Sequence, residues 1–168
     1  VMLNNEVRYL EPDYSGDANF NILPGDNITK TTREEIRLVH NQNFGSGWSG
    51  GLNIQKVSDD KFYRDLTPQV ALTSQTVLPR EGHLTYNGGW WSFTSRVQKF
   101  QTLQDPLAPV VSPYYQTPQF LLTASKYGVY GANVVFNGEY DNFTHPTLAS
   151  GRRLVLNPSL SYPIRNSA

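Results

Sequence analysis

Residues 33–57 read REEIRLVHNQNFGSGWSGGLNIQKV, and their punctuation decides the fold. A strand over Arg33–Asn43 runs into the tight turn Phe44-Gly45-Ser46-Gly47, and a second strand follows over Trp48–Val57. A wandering connection, Ser58 to Pro68, comes next. Outward from this stretch the same order repeats to both ends. Tight turns rich in Gly, Asn or Ser are expected around Ser15-Gly16, Asn87-Gly88-Gly89 and Tyr127-Gly128. Long connections are expected from Leu23 to Thr32, Gln104 to Pro118 and Asp141 to Gly151. Transmembrane β-barrels sort their connections this way, short on one side of the membrane and long on the other. A soluble sandwich has no reason to do so.

The fold class expected is all-β: an antiparallel meander of about nine long strands, a segment of a large outer-membrane β-barrel. The strands are expected near Met2–Leu10, Gly16–Leu23, Arg33–Asn43, Trp48–Val57, Ser74–Tyr86, Trp90–Leu103, Gln119–Lys126, Val129–Tyr140 and Arg152–Ile164. No stretch sustains a helical period, so essentially no helix is expected. Several strands suit the ~9–11 residues of a tilted membrane-spanning strand. Alternation is clearest at the end: Leu154, Leu156, Pro158, Leu160 and Tyr162 oppose Arg153, Val155, Asn157, Ser159 and Ser161. Tyr130, Ala132, Val134 and Phe136 oppose Asn133, Val135, Asn137 and Glu139. Asp17, Asn19 and Asn21 oppose Ala18, Phe20 and Ile22. Ser92, Thr94, Arg96 and Gln98 oppose Trp91, Phe93 and Val97. The polar faces suit either the outside of a sandwich or the lumen of a wide barrel.

Composition excludes several functions. Lys+Arg and Asp+Glu are equal at 14 each, against the basic surface that nucleic acid requires. There is no cysteine for a disulfide or a thiolate metal site. His40, His83 and His145 are far apart and lack zinc spacing. No run approaches the ~18 apolar residues of a membrane helix, and the first residues lack the basic start and apolar stretch of a signal peptide. No cofactor and no metal are expected. No catalytic constellation stands out either: His145 with Asp141 and Ser150 is only loop composition, so no enzymatic activity is expected.

The aromatics favour the barrel. Tyr9, Phe44, Trp48, Tyr86, Trp90, Trp91, Tyr127, Tyr130 and Tyr162 all fall near the short-turn ends of their strands. A girdle at a membrane interface has this distribution, because an amphipathic ring suits the headgroup level. Lys56 and Lys99 interrupt the apolar face but lie toward the long-loop ends, where they can snorkel. Nine strands is an odd number, and an open sheet in lipid leaves unpaired backbone groups at its edges. The chain is therefore expected to be an internal part of a larger barrel, residues 1–168 lying wholly in the transmembrane domain.

Six stretches carry a resemblance to a known family. They are Asn5-Glu6-Val7-Arg8-Tyr9-Leu10; Leu23-Pro24-Gly25-Asp26; residues 57–66, VSDDKFYRDL; Val97-Gln98-Lys99-Phe100-Gln101; Tyr114-Tyr115-Gln116-Thr117-Pro118-Gln119; and residues 151–161, GRRLVLNPSLS. In this order and spacing the chain resembles the LPS-assembly protein family LptD, also called organic solvent tolerance protein. The pattern within 57–66 is the most family-specific. The resemblance implies a segment of the outer-membrane translocon that receives lipopolysaccharide from a periplasmic Lpt bridge and inserts it into the outer leaflet. It further implies a Gram-negative cell outer membrane as location and an LptE-like plug lipoprotein as partner. The family's periplasmic jellyroll, its cysteines and its gate strands are not in these residues, so the chain corresponds to wall rather than gate.

On that reading a hydrated lumen is lined by Asn4, Glu6, Arg8, Asp17, Asn19, Asn21, Asn53, Gln55, Thr94, Arg96, Gln98, Asn133, Asn137, Glu139, Arg153 and Asn157. Amides can bond sugars without gripping them. Arg8, Arg96 and Arg153 could touch phosphate or the plug, but pairing with Glu6, Glu139 or loop acids is preferred. The periplasmic-side girdle is Tyr9, Trp48, Trp90, Trp91, Tyr127, Tyr130 and Tyr162. The family-like outer loop carries Ser58, Asp59, Asp60, Tyr63 and Asp65, whose carboxylates could hold a divalent cation or merely cap a turn; the cap is preferred. Asn27-Ile28-Thr29 and Asn142-Phe143-Thr144 match a glycosylation sequon without meaning in a bacterial barrel. Two alternatives stay open. One is a secreted β-sandwich carbohydrate-binding module, with Trp90, Trp91, Tyr114 and Tyr115 stacking on sugars; the other is a different outer-membrane channel.

Overall fold

The computed structural model describes residues 1–67 and 70–164. Nine strands form one antiparallel sheet in chain order, each bonded to the strand before it. They are β1 (Leu3–Leu10), β2 (Tyr14–Leu23), β3 (Arg33–Gly45), β4 (Trp48–Val57), β5 (Val77–Asn87), β6 (Trp91–Thr102), β7 (Tyr115–Val129), β8 (Ala132–Thr144) and β9 (Gly151–Ser161). The connections at 11–13, 46–47, 88–90 and 130–131 are tight, and those at 24–32, 58–76, 103–114 and 145–150 are longer. The sheet thus has a turn end and a loop end, as the punctuation of the sequence predicts. Among the described residues there is a single sheet rather than two packed ones, which is not the arrangement of a sandwich.

Two turns fall away from the expected glycines. Glu11 N donates to Tyr14 O at 2.8 Å and closes the first turn, while Ser15 and Gly16 lie inside β2. Gly16 marks a close approach: the Tyr9 ring lies across it, where a Cβ would stand. The last turn is Tyr130-Gly131, both at positive φ (51° and 84°), as a two-residue hairpin requires. Gly128 (φ 72°) instead sits in a bulge of β7, between Lys126 and Val129. Tyr130 therefore belongs to the turn and not to the apolar face of β8.

The expected strand at Ser74–Tyr86 begins later, at Val77. Before it come two single helical turns, α1 (Phe62–Leu66) and α2 (Val70–Thr73). They correct the expectation of no helix. Elements of 5 and 4 residues are too short to leave a 3.6-residue period in the sequence. Burial of Phe62 and Tyr63 holds α1 in place. These two pack with Val57, Leu78 and Leu103 into a small core, flanked by Met2, Leu66 and Leu72. Nearby, the ladder from β4 to β5 stops at Ile54↔Arg80, beside Pro79, which has no N–H to offer. The Gln101 side chain substitutes for the ladder: it accepts from Val57 N at 3.2 Å and donates to Val57 O at 2.8 Å.

Elsewhere one face of the sheet is apolar and uncovered. Val7, Phe20, Leu52, Leu84, Val97 and Leu156 are all exposed on it. At ~25 cal/mol per Å², so much open hydrocarbon is unfavourable in water and favourable against lipid. Among the described residues no helix is long and apolar enough to cross a membrane.

Candidate functional site: a polar face and the loop folded over it

The pairing registers bring the sixteen predicted lumen residues onto one face. Asn4, Glu6 and Arg8 stand opposite Asn21, Asn19 and Asp17. Gln55 lies opposite Arg37, Asn53 and Gln98 both opposite Glu81, and Asn137 opposite Asn157. The strand pleat puts alternate residues on the same side, so even distant strands contribute to one surface. Hydrogen bonds run across it from strand to strand. Arg8 Nε donates to Asp17 Oδ2 at 3.0 Å, and Arg8 also pairs with Glu6. Asn19 Nδ2 donates to Asp17 at 2.6 Å and Asn21 Nδ2 to Glu35 at 2.7 Å. Gln98 Nε2 donates to Glu81 at 2.6 Å.

A second network spans β6 to β9. Arg96 Nη2 donates to Gln116 at 3.0 Å, and Gln116 donates onward to Asp141 at 3.2 Å. Asp141 is fully buried; it also accepts from Gln119 at 2.7 Å and from Arg153 at 2.8 Å. Arg153 pairs with Glu139 as well. Arg8 and Arg153 thus pair with acids in the wall, as preferred from the sequence, whereas Arg96 takes an amide. Asn133 serves the bulge, accepting from Gly128 N at 3.2 Å. Asp141, Gln119 and Glu81 were missed: periodicity marks a face, but not which members of it share a proton.

At the loop end, the described parts of the connection after β4, 58–67 and 70–76, fold over this face. Phe62, Leu66, Thr67 and Leu72 form one side of a cleft of about 420 Å³, and Asn4, Glu6, Asn19, Asn21, Glu35 and Arg37 the other. Tyr63 Oη donates to Glu35 Oε1 at 2.9 Å. Burial pushes the Tyr63 phenol far above its ordinary pKa, and the Glu35 carboxylate adds to this.

The family-like outer loop is organised by a residue the sequence did not single out. Arg33, at the first position of β3, is 1% exposed. Its Nε and Nη2 bond both Asp59 oxygens at 2.8 Å, and Nη1 reaches Asp65 at 3.1 Å and Asp26 at 3.2 Å. Its guanidinium also lies 5.6 Å from the Phe62 ring centre. Ser58 Oγ and Lys61 N donate to Asp59, which makes the expected turn cap. Both Asp59 and Asp65 are therefore taken by a guanidinium. Among the described residues no group of His, Cys, Asp and Glu is placed to hold a metal ion. The N–H of Ile28 holds the Asp26 carboxyl below its ordinary range, and Arg33 helps. Burial pushes Asp59 up, but donation from Arg33, Ser58 and Lys61 brings it below the ordinary range.

At the turn end several of the aromatic residues expected there lie close together. The Trp48 and Tyr86 ring centres are 4.8 Å apart, as are those of Tyr86 and Trp91, and Lys126 Nζ stands 5.4 Å over Trp90. Tyr162 lies just beyond β9. Tyr114 and Tyr115 are at the opposite end of the sheet from Trp90 and Trp91, so the four make no common sugar platform.

An antiparallel meander with one bare apolar face, one polar face and connections sorted by length has the architecture of a segment of a large membrane β-barrel. The comparisons give the particular kind. The chain belongs to the LptD family: the family model described as LPS transport system D matches residues 31–168. The LPS-assembly protein LptD of Nitrosospira multiformis is 45% identical over 99% of this chain and 19% of its own length. Its counterpart in Nitrosomonas eutropha is 40% identical over 99% of the chain and 24% of its own length. That of Paraburkholderia xenovorans is 39% identical over 98% and 21%. The chain spans about a fifth of the length of these relatives.

Proposed function

We propose that these residues form part of the transmembrane barrel of a lipopolysaccharide-assembly protein in a Gram-negative outer membrane. The apolar face meets lipid, and the polar face lines a hydrated lumen through which the sugar head of lipopolysaccharide reaches the outer leaflet. The observation that carries this is the polar face itself: amides and internally paired charges from β1 to β3, β5 to β6 and β7 to β9 stand on one side of the sheet. Groups already bonded to each other offer sugars weak, exchangeable hydrogen bonds, which suits a surface that must release what passes over it. The relatives' name, LPS-assembly protein, supports the same reading. An LptE-like plug lipoprotein would sit against the polar face. A periplasmic Lpt bridge would deliver through parts of the protein beyond these residues.

The test places a photo-crosslinking amino acid in the full-length protein, at Asn19 or Gln98 on the polar face and at Leu52 or Val97 on the apolar face. Lipopolysaccharide captured in growing cells from the polar-face positions, with phospholipid captured from the apolar ones, is the expected result. Phospholipid captured from both faces overturns the lumen.

A further inference from the structure

We propose that Arg33 is a positioning residue that locks the loop segment 58–67 over the polar face and thereby narrows the mouth of the lumen. A guanidinium can be buried only where its donors are met by well-placed acceptors. Here it bonds carboxylates from two separate connections, Asp26 from 24–32 and Asp59 and Asp65 from 58–76. The planar fork serves both oxygens of Asp59 at once, which a lysine ammonium could not do.

The lock has a fixed half and a releasable half. Arg33 and Asp26 have side chains only 1% and 8% exposed, and they belong to the strand and its own incoming loop. Asp59 and Asp65 are 36% and 32% exposed and can rehydrate if the loop swings away. Two further contacts brace the closed position: Tyr63 on Glu35 at 2.9 Å, and Arg64 Nη1 on Asp105 of the next long connection at 3.1 Å. With the loop closed, Phe62 and Leu66 overhang the polar residues of β1 to β3. With it released, that overhang is lost and the polar face is open at its loop end. The narrowing rests on the lumen reading given above; the lock itself does not.

The experiment uses the full-length protein in the outer membrane of intact cells, with trypsin added outside. Lys61 and Arg64 are exposed cleavage sites within the loop. Arg33→Met, and separately Asp59→Asn with Asp65→Asn, are expected to raise cleavage there roughly tenfold, because proteolysis follows the open population. The same variants, purified and placed in planar bilayers, are expected to conduct more than the wild type. Unchanged cleavage in variants that still migrate as folded barrels on unheated gels overturns the lock. If Arg33→Met does not reach the membrane, the paired Asp variant decides, since it leaves Arg33 bonded to Asp26. Faster cleavage with unchanged conductance keeps the lock and sinks the narrowing, while the crosslinking from the polar face decides the lumen separately.

Discussion

At the turn end of the sheet, Trp48, Tyr86 and Trp91 stand side by side, Trp48 exposed and the other two half-buried. At the loop end, long connections fold back and bury what they cover. Arg33, Tyr63, Phe62, Leu78, Val57 and Asp141 are the largest fully buried side chains among the described residues, and all six lie there. The two ends solve different problems. A tight turn needs only the right backbone angles and suits an interface through its rings. A long connection has entropy to lose, so it must find burial and paired charge to stay in one place.

Substitutions can break that contrast. The largest effect is expected for Leu78→Ala, which removes a side chain with no exposure from the small core; about 3 kcal/mol of local stability is lost. Hydrogen exchange should show amides at the loop end deprotected while the ladder amides of β3 and β4 next to the tight turn stay slow. Gly16→Val tests the turn end, where a Cβ would meet the Tyr9 ring and the Val39 carbonyl. Overpacking of this kind costs about 2 kcal/mol, and exchange should quicken in β1 and β2 and leave the loop end unchanged. Equal deprotection of both ends by either variant would show that the two regions are one cooperative unit.

Smaller changes sharpen the contrast. Tyr63→Phe removes one hydrogen bond to a carboxylate that keeps Asn21 as donor, and should cost about 1 kcal/mol, read as faster trypsin cleavage at Lys61 and Arg64. The pH response should be confined to the loop end. Asp26 and Asp59, which with Asp65 face Arg33, have folded pKa values held down. Their contribution is therefore complete above the unfolded value of about 3.9 and is lost only as pH falls through the lower folded values. Exchange of residues 59–66, corrected for intrinsic rate, should be unchanged from pH 7 to 5 and rise below about pH 4. Loop opening already at pH 5 would contradict the depressed carboxylates.

Much of the wall was legible in the sequence. Alternation in Gly151–Ser161 and in Tyr14–Leu23 names the polar and apolar faces directly, because a pleat is a property of neighbouring residues alone. The Gly45-Ser46-Gly47 turn was equally plain, since the positive φ at Gly45 and Gly47 favours glycine. Gly16 and Gly128 misled, because a glycine also serves under a ring or in a bulge, and only the opposite strand shows which. What the sequence by itself determined is the two-faced meander, the sorting of its connections and the family. What only the tertiary structure decided is the loop end. Positions 26, 33, 59 and 65 mean nothing to one another until the strands bring their loops together, and only then is the Arg33 guanidinium dry enough for three carboxylates to matter.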